Sequence, residues 1–137
     1  MARSGLFQTK VSTRAVGAEG ERLAQAHLQA AGLTLVARNF KSPGRGGGEV
    51  DLIMREPDGT LVFVEVRQRG SARHGGAAAS VGWVKQRRVI FAARHYLARL
   101  GAWPPCRFDV VAIEEAAAGA APTVDWLRGA FDATGYS

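Results

Sequence analysis

The sequence predicts an α/β chain in which a central mixed β-sheet is flanked by helices. Three observations carry this. An apolar β-hairpin signal occupies residues 48–69. Helical periodicity brackets it, over residues 16–31 and 81–100. Strand-like stretches follow each helix, over residues 33–39 and 107–114.

In chain order, residues 1–14 are basic (Arg3, Lys10, Arg14) and aperiodic, which predicts a frayed tail before a single domain over residues 15–131 and a short tail over residues 132–137. The first helix carries Val16, Gly20, Leu23, Ala24, His27, Leu28 and Ala31 near one stripe, and Gly32 is its stop signal. Glu19 and Glu21 fall where a helix dipole favours a carboxylate, which by itself accounts for both. Leu33, Leu35 and Ala37 then alternate with Thr34, Val36 and Arg38 as a strand. Residues 41–48 (Lys-Ser-Pro-Gly-Arg-Gly-Gly-Gly) are a loop by composition, read as a mobile connection because no phosphate-loop pattern is present. Lys41 and Arg45 stand in it as candidate phosphate contacts.

The hairpin's register follows from its turn. Pro57-Asp58-Gly59 as a three-residue loop, with Gly59 left-handed, makes Glu56 and Thr60 the closing pair. Counting back, Met54 faces Val62, Leu52 faces Val64 and Asp51 faces Glu65. By alternation Glu65 and Arg67 share one face, while Val62, Val64 and Val66 share the other. The apolar face is expected to pack on a helix and the acidic face to lie nearer solvent. Directly opposed carboxylates are destabilising, and a divalent cation would offset that cost.

Residues 70–80 form a second loop by composition, with Ser80 a candidate cap for the helix over residues 81–100. Val89, Ala93, Tyr96, Leu97 and Leu100 make its inward stripe, and Lys85, Arg87, Arg88, Arg94, His95 and Arg99 supply much of the rest. A charged helix face is usually just solvated, but charge of one sign favours phosphate contact. Trp103-Pro104-Pro105 breaks the helix. Phe108, Val110, Val111 and Ile113 mark the next strand, where Asp109 beside Arg107 reads as a structural ion pair. Residues 122–127 suggest a short edge strand and residues 129–137 a tail.

At 137 residues the chain is one domain with room for a core, and 47% hydrophobic and 22% charged content is that of a soluble globular protein. A net charge of +6 and a pI near 10.4 favour a polyanionic partner, most simply nucleic acid. The single Cys106 excludes an internal disulfide; it reads as a small core residue at a strand start and fits a reducing cytoplasm. No signal-peptide core or membrane-length apolar run is present, so a cytoplasmic location is expected. His27, His74 and His95 form no zinc spacing, and no serine-hydrolase elbow occurs.

The acidic and basic residues nevertheless form a pattern. An Asp in one strand, Glu-x-Lys in the next and a Glu on the preceding helix mark the restriction-endonuclease-like superfamily. More narrowly, the chain resembles the YraN-like uncharacterised protein family, itself similar to archaeal Holliday-junction resolvases. The matching stretches are Gly17-x-x-Gly20-Glu21 with Ala24 and Leu28, Arg38-Asn39-Phe40, Gly48-Glu49-Val50-Asp51-Leu52-Ile53, Phe63-Val64-Glu65-Val66-Arg67, Lys85, Arg107-Phe108-Asp109-Val110-Val111 and Ala130-Phe131.

The resemblance implies a restriction-endonuclease-like three-layer fold and a Mg²⁺- or Mn²⁺-dependent phosphodiesterase site. Glu21, Asp51 and Glu65 would be its acidic residues, with Arg67 in the place of the catalytic lysine. Asp51 and Glu65 would hold the metal, helped by the Val66 carbonyl, and Glu21 would bind through water or hold a second metal. Lys85, with Arg88, Arg45 and Lys41, would meet nucleic acid, DNA in preference to RNA. A symmetric homodimer would suit a branched, four-way substrate. Arginine grips phosphate bidentately but cannot act as a base, its pKa lying above about 12. That substitution keeps two alternatives open: a nucleic-acid-binding protein of the same fold without catalysis, and a protein-interaction module whose basic face meets an acidic partner.

Overall fold

The structure, a computed structural model, describes residues 13–44, 47–69, 81–115 and 118–134. Its elements are α1 (Thr13–Ala30), β1 (Thr34–Lys41), β2 (Glu49–Arg55), β3 (Leu61–Arg69), α2 (Trp83–Leu100), β4 (Cys106–Glu114) and β5 (Thr123–Phe131). The strands form one mixed sheet in the order β1-β2-β3-β4-β5. β1, β2 and β3 are antiparallel neighbours, β3 and β4 are parallel, and β5 returns antiparallel to β4. Only the β3–β4 pairing needs a crossover, and α2 supplies it.

The helices cover opposite faces, which makes the fold a three-layer helix–sheet–helix arrangement. Ala24 and Leu28 of α1 pack on Leu52, Met54, Val62, Val64, Val111 and Ile113. Val89, Ile90, Ala92, Ala93 and Leu97 of α2 pack on Val50, Ile53, Leu61, Phe63 and Phe108. β3 is buried on both faces, which is why Leu61-Val62-Phe63-Val64 is unbroken apolar sequence.

The hairpin turn forms as its sequence dictates. The Glu56 amide donates to the Thr60 carbonyl at 2.9 Å, the Gly59 amide donates to the Glu56 carbonyl at 2.9 Å, and Gly59 has φ 95°. The resulting ladder pairs Met54 with Val62 and Leu52 with Val64, the expected register.

Several boundaries and environments differ from the sequence reading. α1 begins at Thr13, so Glu19 and Glu21 lie beyond its first turn, where the dipole has decayed. Glu19 pairs instead with Arg22. The face bearing Glu65 does not lie nearer solvent, because α2 crosses over it; Glu65 is only 3% exposed. Leu100 is exposed rather than inward, since α2 runs past the sheet there. The N-cap of α2 is Gly82, without a side-chain cap, and Ser80 lies outside the described residues. The final strand continues to Phe131, through a register shift opposite Phe108/Val110, and Phe131 stacks on Phe108 with centroids 5.2 Å apart. Cys106 opens β4 as expected but is exposed, its thiol donating to the Pro104 carbonyl at 3.1 Å. The loop after β1 is tied at its base: the Gly48 amide donates to Ser42 Oγ at 2.7 Å and the Ser42 amide to the Gly48 carbonyl at 3.1 Å.

Candidate active site

The site lies where β2 and β3 part. Their ladder ends at Leu52 and Val64, and the same register carried one step further sets Asp51 opposite Glu65. Asp51 Oδ2 accepts the Val66 amide at 2.8 Å, so a side chain takes over where the backbone ladder stops. β3 continues beside β4, with Glu65 paired to Val110 and Arg67 to Ala112.

The chain's entry into β2 is fixed by a close approach. A Cβ on Gly48 would stand 2.1 Å from the Arg88 carbonyl oxygen and 2.6 Å from the Ala92 amide nitrogen. Only glycine lets β2 start this near α2, and that contact delivers Glu49 and Asp51 to the helix. Arg88 then pairs with Glu49 at 3.1 Å. Lys85, one turn earlier, reaches Glu65 Oε2 at 3.4 Å. Gly20 plays a lesser part on α1, with the Gln68 side chain lying over it.

Electrostatics make the carboxyl pair unequal. Burial, and next the Asp51 charge, push Glu65 up to about 8, against a lowering by Lys85. Burial also raises Asp51, but the Val66 amide and then Lys85 oppose the rise. The two carboxyls are within hydrogen-bonding reach, in the sense that favours the proton on Glu65. Once Glu65 ionises, its buried Oε1 has no hydrogen-bond donor among the described residues.

Glu21 approaches from α1. Burial raises its pKa, followed by the Asp51 charge, while a hydrogen bond from the Asn39 side chain lowers it. Asn39 sits at φ 51°, a left-handed conformation that asparagine tolerates better than most residues. Among the described residues no group of three or more His, Cys, Asp or Glu has metal-holding geometry. The tight core of the site is thus the Asp51–Glu65 pair, with Glu21 set back from it. Glu65, Val66, Arg67, Gln68 and Lys85 line an open cleft of ≈ 390 Å³ beside this pair.

The structure therefore brings Asp51, Glu65, Val66, Arg67 and Lys85 together, with Glu21 within electrostatic range. Lys85 and Arg88 are already engaged by carboxylates, Lys41 is exposed at the end of β1, and Arg45 lies outside the described residues. Glu49 and Asn39 were not anticipated as site residues. Glu49 had a readable signal: it stands two residues before Asp51 and so shares its strand face. The Asp109–Arg107 pair is structural, as expected. Asp109 is fully buried and accepts from Arg107 Nε (2.9 Å), Arg107 Nη2 (3.0 Å), Trp126 Nε1 (2.8 Å) and the Gly129 amide (2.9 Å). No described helix is long and apolar enough to cross a membrane.

Comparison with known proteins places these residues in a family context. The family described as "Uncharacterised protein family UPF0102" matches residues 20–113. The chain is 62% identical over 122 residues to a UPF0102 protein of Acidovorax sp. (strain JS42), covering 89% of this chain and 88% of that one. It is 58% identical over 128 residues to one from Polaromonas naphthalenivorans (91% and 84% covered). A third, from Albidiferax ferrireducens, is 59% identical over 128 residues (93% and 95% covered).

Proposed function

The chain belongs to the UPF0102, or YraN-like, family, and within that family we propose that it is a Mg²⁺- or Mn²⁺-dependent endonuclease that hydrolyses phosphodiester bonds in DNA, branched DNA included. The observation that carries this reading is the pairing of half-buried Asp51 with buried Glu65, one of whose oxygens lacks a donor among the described residues, beside a cleft lined by Arg67 and Lys85. Two carboxyls held this close need a proton, a lysine or a metal ion between them. The resemblance to the restriction-endonuclease-like superfamily and to archaeal Holliday-junction resolvases points the same way.

In this reading Asp51 and Glu65 would hold the metal, with the Val66 carbonyl as a further oxygen donor and Glu21 in support. A bound Mg²⁺ or Mn²⁺ would supply an activated water and Lewis acidity at the phosphate. The Val66 amide fixes the Asp51 carboxylate, so its orientation is set before any ligand arrives. Arg67 grips a phosphate oxygen pair and stabilises charge that builds on it, without taking a proton. Lys85, paired with Glu65 here, would be the cation available to a substrate phosphate once Glu65 is engaged elsewhere. A cytoplasmic homodimer, its two sites facing two arms of a junction, is the assembly this activity calls for.

Purified protein should nick plasmid or junction DNA in Mn²⁺, and Asp51→Asn should abolish it. Cleavage that survives both Asp51→Ala and Glu65→Ala overturns the assignment. One observation favours a second reading, a nucleic-acid-binding protein without catalysis: Lys85 already supplies a cation to Glu65. Salt-sensitive DNA binding with no turnover in either metal selects it.

A further inference from the structure

The outward face of α2 carries apolar side chains that neither the core nor the carboxyl site uses. Trp83 is 61% exposed, Val84 55% and Phe91 49%. Large aromatics left this open on a helix otherwise well seated on its sheet are uncommon and mark contact surfaces. Trp83, Arg87 and Phe91 follow one another at four-residue spacing, so they form one stripe along the helix. Trp83 and Phe91 stand about 12 Å apart along the axis at 1.5 Å per residue. The Arg87 guanidinium lies over the Trp83 ring, 5.4 Å from its centroid.

The charge around the stripe chooses the partner. α2 holds Lys85, Arg87, Arg88, Arg94 and Arg99 and contains no Asp or Glu. An apolar protein surface would leave this charge uncompensated, and a second copy would bring like charge against it. A polyanion whose flat apolar faces are exposed satisfies both halves of the stripe. Turning round the helix from Phe91, Arg88 lies about 60° away and Lys85 about 120°, and these meet Glu49 and Glu65.

We infer that the Trp83–Arg87–Phe91 face of α2 is a stacking platform for unpaired bases of nucleic acid, with the backbone of a single-stranded segment drawn to the uniformly basic charge of the helix. Duplex offers no free base face, so the platform selects single strands, flaps or the unpaired centre of a branched structure. The inference rests on the proposed nuclease reading only for what happens to the bound strand, because the binding itself needs no metal.

The test uses a fluorescein-labelled 20-mer of dT and a 20-bp duplex of mixed sequence, titrated with protein in EDTA. Wild type should bind the single strand with salt-sensitive affinity and quench tryptophan fluorescence, and Trp83→Ala and Phe91→Ala should each weaken it about ten-fold, the scale of one lost base–aromatic stack. Duplex affinity should change less than two-fold in both variants. Trp83→Phe, which keeps a ring face, should recover most of the loss and guards against a folding artefact. Equal weakening for single strand and duplex overturns the inference, as does an unaffected single-strand affinity in the two alanine variants. A wild type that dimerises through this face, with monomers in Trp83→Ala and no binding of the 20-mer, also overturns it and identifies a second copy as the occupant. Metal-dependent cleavage and its loss in Asp51→Asn are read separately, so either idea can fail alone.

Discussion

Lys85 Nζ lies 3.4 Å from Glu65 Oε2, while the other oxygen of the same buried carboxyl has no donor among the described residues. One carboxylate is thus half satisfied, from the helix side only. Asp51, across the strand gap, adds negative charge when both carboxyls are ionised and accepts a hydrogen bond when Glu65 carries the proton. The lysine opposes the burial and the Asp51 charge that push the Glu65 carboxyl up.

This arrangement gives stability a definite pH dependence. Unfolded, Glu65 titrates near 4.5; folded, it is pushed up to about 8. Between those values the folded protein binds more protons than the unfolded chain, so stability falls as pH rises from about 4.5 towards 8 and then levels off. The raised Asp51 and Glu21 pKa values act in the same direction. Denaturant midpoints in EDTA should drop between pH 5.5 and 8.5, and Glu65→Gln should flatten much of that drop. Mn²⁺ should restore the midpoint at pH 8.5 in wild type but not in Asp51→Asn. An equally steep profile in Glu65→Gln would show that the slope arises elsewhere.

The two buried glycines of the site should behave oppositely. At Gly48 a new Cβ meets α2 backbone at 2.1 and 2.6 Å, atoms that cannot step aside. Gly48→Ala should cost about 3 kcal/mol or more, at the upper end of overpacking, by moving β2 and α2 apart. At Gly20 the obstacle is the Gln68 side chain, which can swing away. There alanine also gains roughly 1 kcal/mol of helix propensity, so Gly20→Ala should lie within about 1 kcal/mol of wild type. Urea unfolding of both variants measures the contrast.

Away from the site, Asp109 joins β4 to β5. It accepts four hydrogen bonds while fully buried, and Arg107 extends the network to Glu56 at 2.8 Å on the hairpin turn. Asp109→Ala would leave the Trp126 and Gly129 donors unpaired and Arg107 with Glu56 as its remaining carboxylate. Breaking a buried ion pair from one side costs about 3–5 kcal/mol. Asp109→Asn should cost less, because it still accepts from some of these donors. Equilibrium unfolding followed by tryptophan fluorescence reads both, and a loss under 1 kcal/mol for alanine would mean that the network is dispensable.

What the sequence revealed was what local chemistry determines. Pro57-Asp58-Gly59 sets the hairpin register, and that register identifies Asp51 and Glu65 as facing residues before any coordinates. Burial of Glu65 is not legible, because it comes from α2 crossing the β3 face to make a parallel connection, a tertiary event. Glu49 escaped notice for a related reason: its pairing with Arg88 exists only once Gly48 touches the helix. The sequence suggests an edge strand only over residues 122–127, whereas β5 runs on through Gly129, whose amide donates to Asp109 within the strand.

Arg67 is where the proposed chemistry is most exposed to test. It lines the cleft next to Glu65 and stands where the family resemblance leads one to expect a lysine. If its work is to clamp phosphate, both its charge and its forked donors matter, whereas a proton-transfer role would need a group that titrates. Arg67→Ala should then lower kcat about 10²- to 10³-fold, the scale of losing one preorganised oxyanion donor. Arg67→Lys should fall between alanine and wild type, since the ammonium keeps the charge and loses the bidentate geometry. Single-turnover cleavage in Mn²⁺ measures all three forms. A lysine variant much faster than wild type, with a new ionisation in its pH–rate profile, would show that position 67 serves in proton transfer and that arginine holds the enzyme back.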